Sequence, residues 1–320
     1  MTKRRLVLLA VSTAALAACA APIAAKPVTY RVVTHDTDIG HYMVDTEGDR
    51  VTVDYDFKQN GRGPTIKEAV RLDKDGRPID WTITGRTTFG NAVKERFTRT
   101  AAGAQWSDLS GPGKANGKDA PRYYATQNGS PLDVSLLAKA LLAAPGHSLP
   151  VAPGGTATLK EQARSSFDGP DGKLNVVTYE LGGLSLAPFY ITLDAEGDFF
   201  AFATPDLIIA RAGYEKAADK PLRDLSERLA SERLAGLQKD GAHHYDGPVR
   251  IRNVRLFDPR AKALSAASDV VVAGQTIAQV LPAGSTATPG ETVIDGAGGT
   301  LVPGMFEMHG HLGQEDALLN

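Results

Sequence analysis

The chain has 320 residues, 42% hydrophobic and 22% charged, with a formal net charge of −2. That balance belongs to a globular protein with room for two or three domains. Lys/Arg and Asp/Glu are interleaved throughout, so no basic face forms to neutralise phosphates, and nucleic acid is not an expected partner. The single cysteine, Cys19, excludes a structural disulfide and a cysteine-based zinc site.

Residues 1–25 read as an export signal: Lys3, Arg4 and Arg5 form a basic start, and Leu6 to Ala18 is an apolar run too short to span a bilayer permanently. The run ends in Leu16-Ala17-Ala18-Cys19, which resembles the bacterial lipobox. The resemblance implies a lipidated Cys19 as mature N-terminus and a membrane anchor. A plain signal peptide cut near Ala18 to Ala25 is the alternative. Either reading exports the protein, as an outer-membrane lipoprotein or into the periplasm.

From residue 28 to about 212 the dominant signal is period-2 alternation, the mark of strands with one buried face. Val51, Val53, Tyr55 and Phe57 alternate with polar residues, as do Ile79, Trp81 and Ile83, and Asp75-Gly76 supplies a hairpin-type turn. Further strands are expected at Tyr30–Thr34, Ile39–Thr46, Thr65–Leu72, Val93–Thr98, Arg122–Thr126, Ala157–Ser165, Leu174–Leu181, Phe189–Leu193 and Phe199–Phe202. Strands so closely spaced pair with their neighbours as an antiparallel meander. One helix interrupts at Leu132–Ala143, ended by Pro145-Gly146. The expectation is a large, curved antiparallel β-sheet domain wrapped against that helix.

Tyr214 to Lys239 reads as a second helix with a leucine stripe and a charged, solvated face, inside a helical linker of residues 213–245. Residues 246–302 begin a new β region, with strands at Val249–Phe257, Asp269–Ala273, Thr276–Val280 and Thr292–Asp295.

Residues 303–320 carry His309-Gly310-His311. Alternation along a strand puts both imidazoles on one face, about 7 Å apart. Neutral imidazoles are common zinc ligands, and zinc open on one side makes hydroxide available near pH 7. Val293 to Leu312, with Pro303-Gly304 before the histidines, resembles the junction in the metal-dependent amidohydrolase superfamily, where a β-sandwich runs into the first strand of a (β/α)8 barrel. Ile251 to Pro259 and Asp269 to Val280 resemble that family's opening hairpins.

The resemblance implies a mainly β (α+β) chain: the large curved sheet domain, then a small β-sandwich, then the first strand of a truncated barrel. It implies hydrolysis of amide-type C–N bonds in peptides, acyl amino acids or cyclic amides by metal-activated hydroxide. The metal ligands would be His309 and His311, holding Zn or another divalent transition metal only once the barrel is complete. Glu307 stands where the family usually has Asp, and two ligands fall short of the three or four that zinc requires. The chain as given is therefore expected to be inactive, with its catalytic residues unknown.

The other histidines, His35, His41, His147, His243 and His244, read as solvated or core-satisfied. Asn60 to Pro64 reads as a turn rather than a phosphate loop, and no Gly-x-Ser-x-Gly elbow is present. A second reading, of a different class, is an exported lipoprotein binding module whose antiparallel β domain takes an apolar ligand or partner.

Overall fold

The computed structural model describes residues 27–304, which divide into two compact units between Glu227 and Arg228. The first opens with eight consecutive antiparallel strands: β1 (Val28–Thr34), β2 (Thr37–Glu47), β3 (Arg50–Phe57), β4 (Thr65–Leu72), β5 (Pro78–Arg86), β6 (Ala92–Thr100), β7 (Gly103–Asp108) and β8 (Gly111–Asn116). The chain then passes through β9 (Tyr123–Tyr124), α1 (Leu132–Ala143) and a 3-10 turn at Pro145–His147. A second meander follows: β10 (Ser148–Ala152), β11 (Thr156–Gly169), β12 (Gly172–Gly182), β13 (Phe189–Asp194), β14 (Phe199–Ala203) and β15 (Ile208–Arg211).

Antiparallel pairing of β1 with β15, Tyr30 opposite Arg211, fuses both meanders into one fifteen-stranded sheet. Its edges are β8 and the short β9, which runs parallel to β10. Tyr124 of β9 nevertheless stacks on Phe97 of β6, near the opposite edge, with ring centroids 5.4 Å apart. The sheet therefore curls until its ends approach, which is how a long twisted sheet hides its edges and encloses one face.

Alternation decides what that enclosed face contains. Val51, Val53 and Tyr55 on β3, Ile66 and Val70 on β4, Trp81 and Ile83 on β5, and Val93 and Phe97 on β6 are all buried in one core. The turn between β4 and β5 is set by Asp73, whose carboxylate accepts the Asp75 and Arg77 amides, and by Gly76 at φ 74°, a conformation that favours glycine. The strands β14 and β15 are buried on both faces. Phe199 and Ile209 join the inner core, whereas Phe200, Ile208 and Ala210 join a second core on the outer face with Tyr214, Ala218 and Leu222. The last two belong to the start of α2 (Glu215–Gly241).

The second unit begins inside α2 and continues as β16 (Val249–Asp258), β17 (Ala263–Leu264), β18 (Ser268–Ala273), β19 (Thr276–Pro282), β20 (Thr292–Asp295) and β21 (Thr300–Leu301). These form a single six-stranded sheet, not the two facing layers expected of a sandwich. The long β16 is its spine: β17 and β18 pair with it antiparallel, β20 and β21 parallel. Arg250, buried here, pairs with Glu291 at 2.6 Å and lies 3.9 Å from Asp269. The expected first barrel strand, residues 303–320, lies almost wholly outside the described residues, which are mainly β, with a large curved antiparallel sheet and two α-helices.

Candidate functional site

The helix α1 is apolar almost all round, with Leu132, Val134, Leu136, Leu137, Ala138, Ala140, Leu141 and Leu142 in twelve residues. A helix with that composition must be covered on every side to be satisfied. One face is: Leu137, Ala138 and Leu141 are buried in the inner core, and the helix packs on β11 and β13. The stripe Leu132, Leu136, Ala140 and Ala143, at helical spacing, also borders a cavity of about 1000 Å3 in the first unit, with Leu132 buried in the core and Leu136 and Ala140 partly buried against it. That volume is at the upper end of the roughly 300–1,000 Å3 typical of ligand sites.

The opposite wall is the inner face of the sheet. Val28 and Tyr30 of β1, Tyr42 and Val44 of β2, Val51 of β3, Leu72 of β4 and Phe199 of β14 supply it. Tyr30 and Tyr42 stack at 5.0 Å, and Phe199 meets Tyr42 edge-on at 5.7 Å, so the wall is a rigid aromatic surface. The Tyr30 hydroxyl donates to the Phe199 carbonyl at 2.9 Å, and burial pushes it up to about 12. The Tyr42 hydroxyl is buried without a hydrogen-bond partner in bonding geometry, close to Ser130, and burial raises it well above the ordinary tyrosine range. Both phenols are neutral at any physiological pH.

The charged residues of the cavity include Asp75, Arg77, Lys118, Asp119, Arg122, Lys139, Asp198 and Arg211. Most are paired. Arg77 lies 3.2 Å from Asp75, Lys139 2.5 Å from Asp198, and Arg211 2.7 Å from Asp194, whose carboxylate also accepts the Asp198 amide of the β13–β14 turn.

A cluster of buried acids holds the segment that leads into α1. Glu68 lies on β4 between Ile66 and Val70, and Glu95 on β6 between Val93 and Phe97, both on the inward phase. Register places them in one row across the sheet with Ile83 between them. Glu68 accepts the indole N–H of Trp81 at 2.9 Å and the backbone N–H of Ser130. Glu95 accepts the Gln127 amide N–H and the Asn128 side-chain amide, each at 3.0 Å. Asp133, in the first turn of α1, accepts the Thr126 hydroxyl at 2.6 Å. Residues 126–133 are thus clasped to the sheet by charge-accepting bonds. Burial pushes Glu68 up to about 7 and Asp133 up to about 6.

None of these residues is singled out by motif reasoning, though a signal existed: an acid at the inward phase of an otherwise apolar alternating strand. The expected site residues Cys19, His309 and His311 lie outside the described residues, and so does Glu307. Among the described residues no group of three or more His, Cys, Asp or Glu is placed to hold a metal ion. Asn60 and Gly61 form the tip of a tight turn in which Gln59 and Arg62 exchange backbone hydrogen bonds of 2.7 and 3.0 Å.

No protein-family model matches the chain, and no curated protein matches it. Two solved structures with which it shares partial similarity are a DUF1089 family protein from Pseudomonas aeruginosa and a β-barrel-like protein of the domain of unknown function DUF1849 from Brucella abortus. The first is 14% identical, covering 52% of this chain and 90% of that one at a TM-score of 0.31. The second is 10% identical, covering 58% and 94% at a TM-score of 0.35. Neither is an amidohydrolase by its description. The amidohydrolase reading is corrected: no family model and no curated protein carries it, and His309 and His311, on which Zn was expected, lie outside the described residues.

Proposed function

We propose that this protein is an exported binding module whose curved β domain takes an apolar ligand in the cavity between the sheet and α1. The observation that carries this reading is the second apolar face of α1. Leu132, Leu136, Ala140 and Ala143 border the cavity, and Leu136 and Ala140 are only partly buried against the core. An apolar cavity that is roomy and walled by rigid aromatic rings gains free energy when an apolar molecule enters, because both surfaces leave water. Export is supported by Lys3 to Arg5, by the apolar run Leu6–Ala18 and by the lipobox-like Leu16–Cys19, which together would place the module at the outer membrane or in the periplasm.

The test uses Nile red, a neutral apolar dye that brightens on leaving water. The 320-residue chain should bind it saturably, and Ala140→Trp, which fills the void from the helix side, should weaken binding at least tenfold while leaving the far-UV circular dichroism unchanged. Equal binding by Ala140→Trp and the parent would reject the cavity as the site.

A further inference from the structure

Resting on the reading that this cavity takes an apolar ligand, we infer that the ligand is a single-chain amphiphile with an anionic head, its tail against Tyr42 and Leu136 and its head between Lys118 and Arg122. The cavity asks for two chemistries at once. Its walls are aliphatic and aromatic, and its charged residues count five cations against three carboxylates.

The cations are not equivalent. Arg77, Lys139 and Arg211 each have a carboxylate within bonding distance, at Asp75, Asp198 and Asp194. Recruiting one of them to a ligand would break an existing pair. Lys118 and Arg122 lie on the stretch between β8 and β9, both exposed, and neither has a carboxylate within 4 Å among the described residues. Asp119 stands between them in sequence, itself outside any ion pair, and leaves a local excess of one positive charge. An anion arriving there gains attraction without undoing any pairing, and it does so beside a low-dielectric wall that weakens solvent screening.

The interior closes the argument about orientation. Beside the neutral phenols of Tyr30 and Tyr42 the one cation among the described residues, Arg211, is already paired with Asp194, so a head group sent inward would lose its hydration without a free charge to meet it. The tail goes in and the anion stays at the rim. Carboxylate and phosphate heads share this chemistry, and so does a free anion that needs no cavity at all; the test separates the free anion from the amphiphile.

Nile red bound to the 320-residue chain is displaced with dodecanoate, dodecanol and inorganic phosphate in parallel titrations. The expected result is that dodecanoate displaces at about a tenfold lower concentration than dodecanol, equivalent to about 1.4 kcal/mol. The gap should shrink with added salt, and Lys118→Ala/Arg122→Ala should bring the two titrations together. Phosphate should displace nothing and should not protect against dodecanoate. Equal displacement by dodecanol and dodecanoate in the parent would overturn the anionic head while leaving the apolar cavity standing. So would a gap that survives the double variant, which would put the head elsewhere. Competition between phosphate and dodecanoate would reduce the rim to a free-anion site. Failure of Nile red itself to bind would instead sink the cavity reading on which this rests.

Discussion

Both units are built from strands rich in apolar residues, and those residues meet different fates. In the first, β4 alternates as Ile66, Glu68 and Val70 against Lys67, Ala69 and Arg71, and every inward residue is buried. In the second, β19 and β20 are also rich in apolar residues, though without strict alternation, and Ile277 is 70% and Val280 53% exposed, with Val293 and Ile294 exposed as well. Fifteen strands can curl until a face is enclosed, whereas six strands pinned to one spine remain open. Alternation therefore says which side chains share a face, and strand number and curvature say whether that face is covered.

The sharpest way to break the contrast is to put a charge on the covered face. Ile83 is 1% exposed and stands between Glu68 and Glu95, so Ile83→Asp adds an unpaired carboxylate beside two others. It should cost about 3–5 kcal/mol. Both tryptophans, Trp81 and Trp106, lie in the first unit, so urea unfolding followed by tryptophan fluorescence reads that unit alone. A midpoint within error of the parent would show that the inward phase of β5 is misassigned. Ile79, on the same phase, is only half-buried, because the register shifts at the Leu72–Pro78 end of the β4–β5 pair. Ile79→Asp should accordingly cost less than Ile83→Asp.

A smaller effect belongs to the buried acids. Burial raises Glu68 from an unfolded value of 4.5 to about 7 and Asp133 from 3.8 to about 6. Between those limits the folded state holds protons that the unfolded state has released, so stability must fall as pH rises from about 4 to about 7. Asp56 and Asp73 shift the other way, because hydrogen bonds from Lys58, Thr65, Arg77 and Arg99 outweigh their desolvation; their stabilisation is present above 3.8 and lost below it. The two opposing slopes place maximal stability of the first unit near pH 4–5. The urea midpoint should therefore drop between pH 5 and 7.5, and Glu68→Gln should flatten that decline. A midpoint that rises over the same interval would show that Glu68 is ionised well below neutrality.

How much was legible follows from the same logic. The alternating strands β1 to β6, the helix at Leu132–Ala143 and the antiparallel order were readable, because each is dictated locally by spacing. The β7–β8 hairpin was not: Gly103, Gly111, Pro112 and Gly113 give it almost no strand propensity, and it exists because β6 offers an unpaired edge. The short β10 and β15 escaped for a related reason, since β15 is defined by a partner, β1, about 180 residues away in the chain. The cavity was hidden more deeply. A helix with two apolar faces reads as a core helix, and only the three-dimensional arrangement shows that one face borders a cavity. The barrel expectation came from a resemblance over Val249 to Leu312 that no family model supports, and its first strand lies almost wholly outside the described residues.

The smallest effect expected tests the open unit. Ile277 on β19 is 70% exposed with Thr276, Ala278, Gln279 and Val280 exposed around it, so its side chain has little burial to lose. Ile277→Asp should change stability by less than about 0.5 kcal/mol, as exposed substitutions ordinarily do, against the several kcal/mol of Ile83→Asp in the covered sheet. Because Ile277, Val280, Val293 and Ile294 leave apolar surface facing water, the same substitution should raise the solubility limit of the chain by removing an aggregation-prone contact. Far-UV circular dichroism during thermal unfolding measures the first quantity, and light scattering against protein concentration the second. A loss of 2 kcal/mol or more would mean that Ile277 is covered in the folded protein in solution, and the contrast between a closed and an open sheet would then be a contrast between a face covered by its own curl and a face covered by something else.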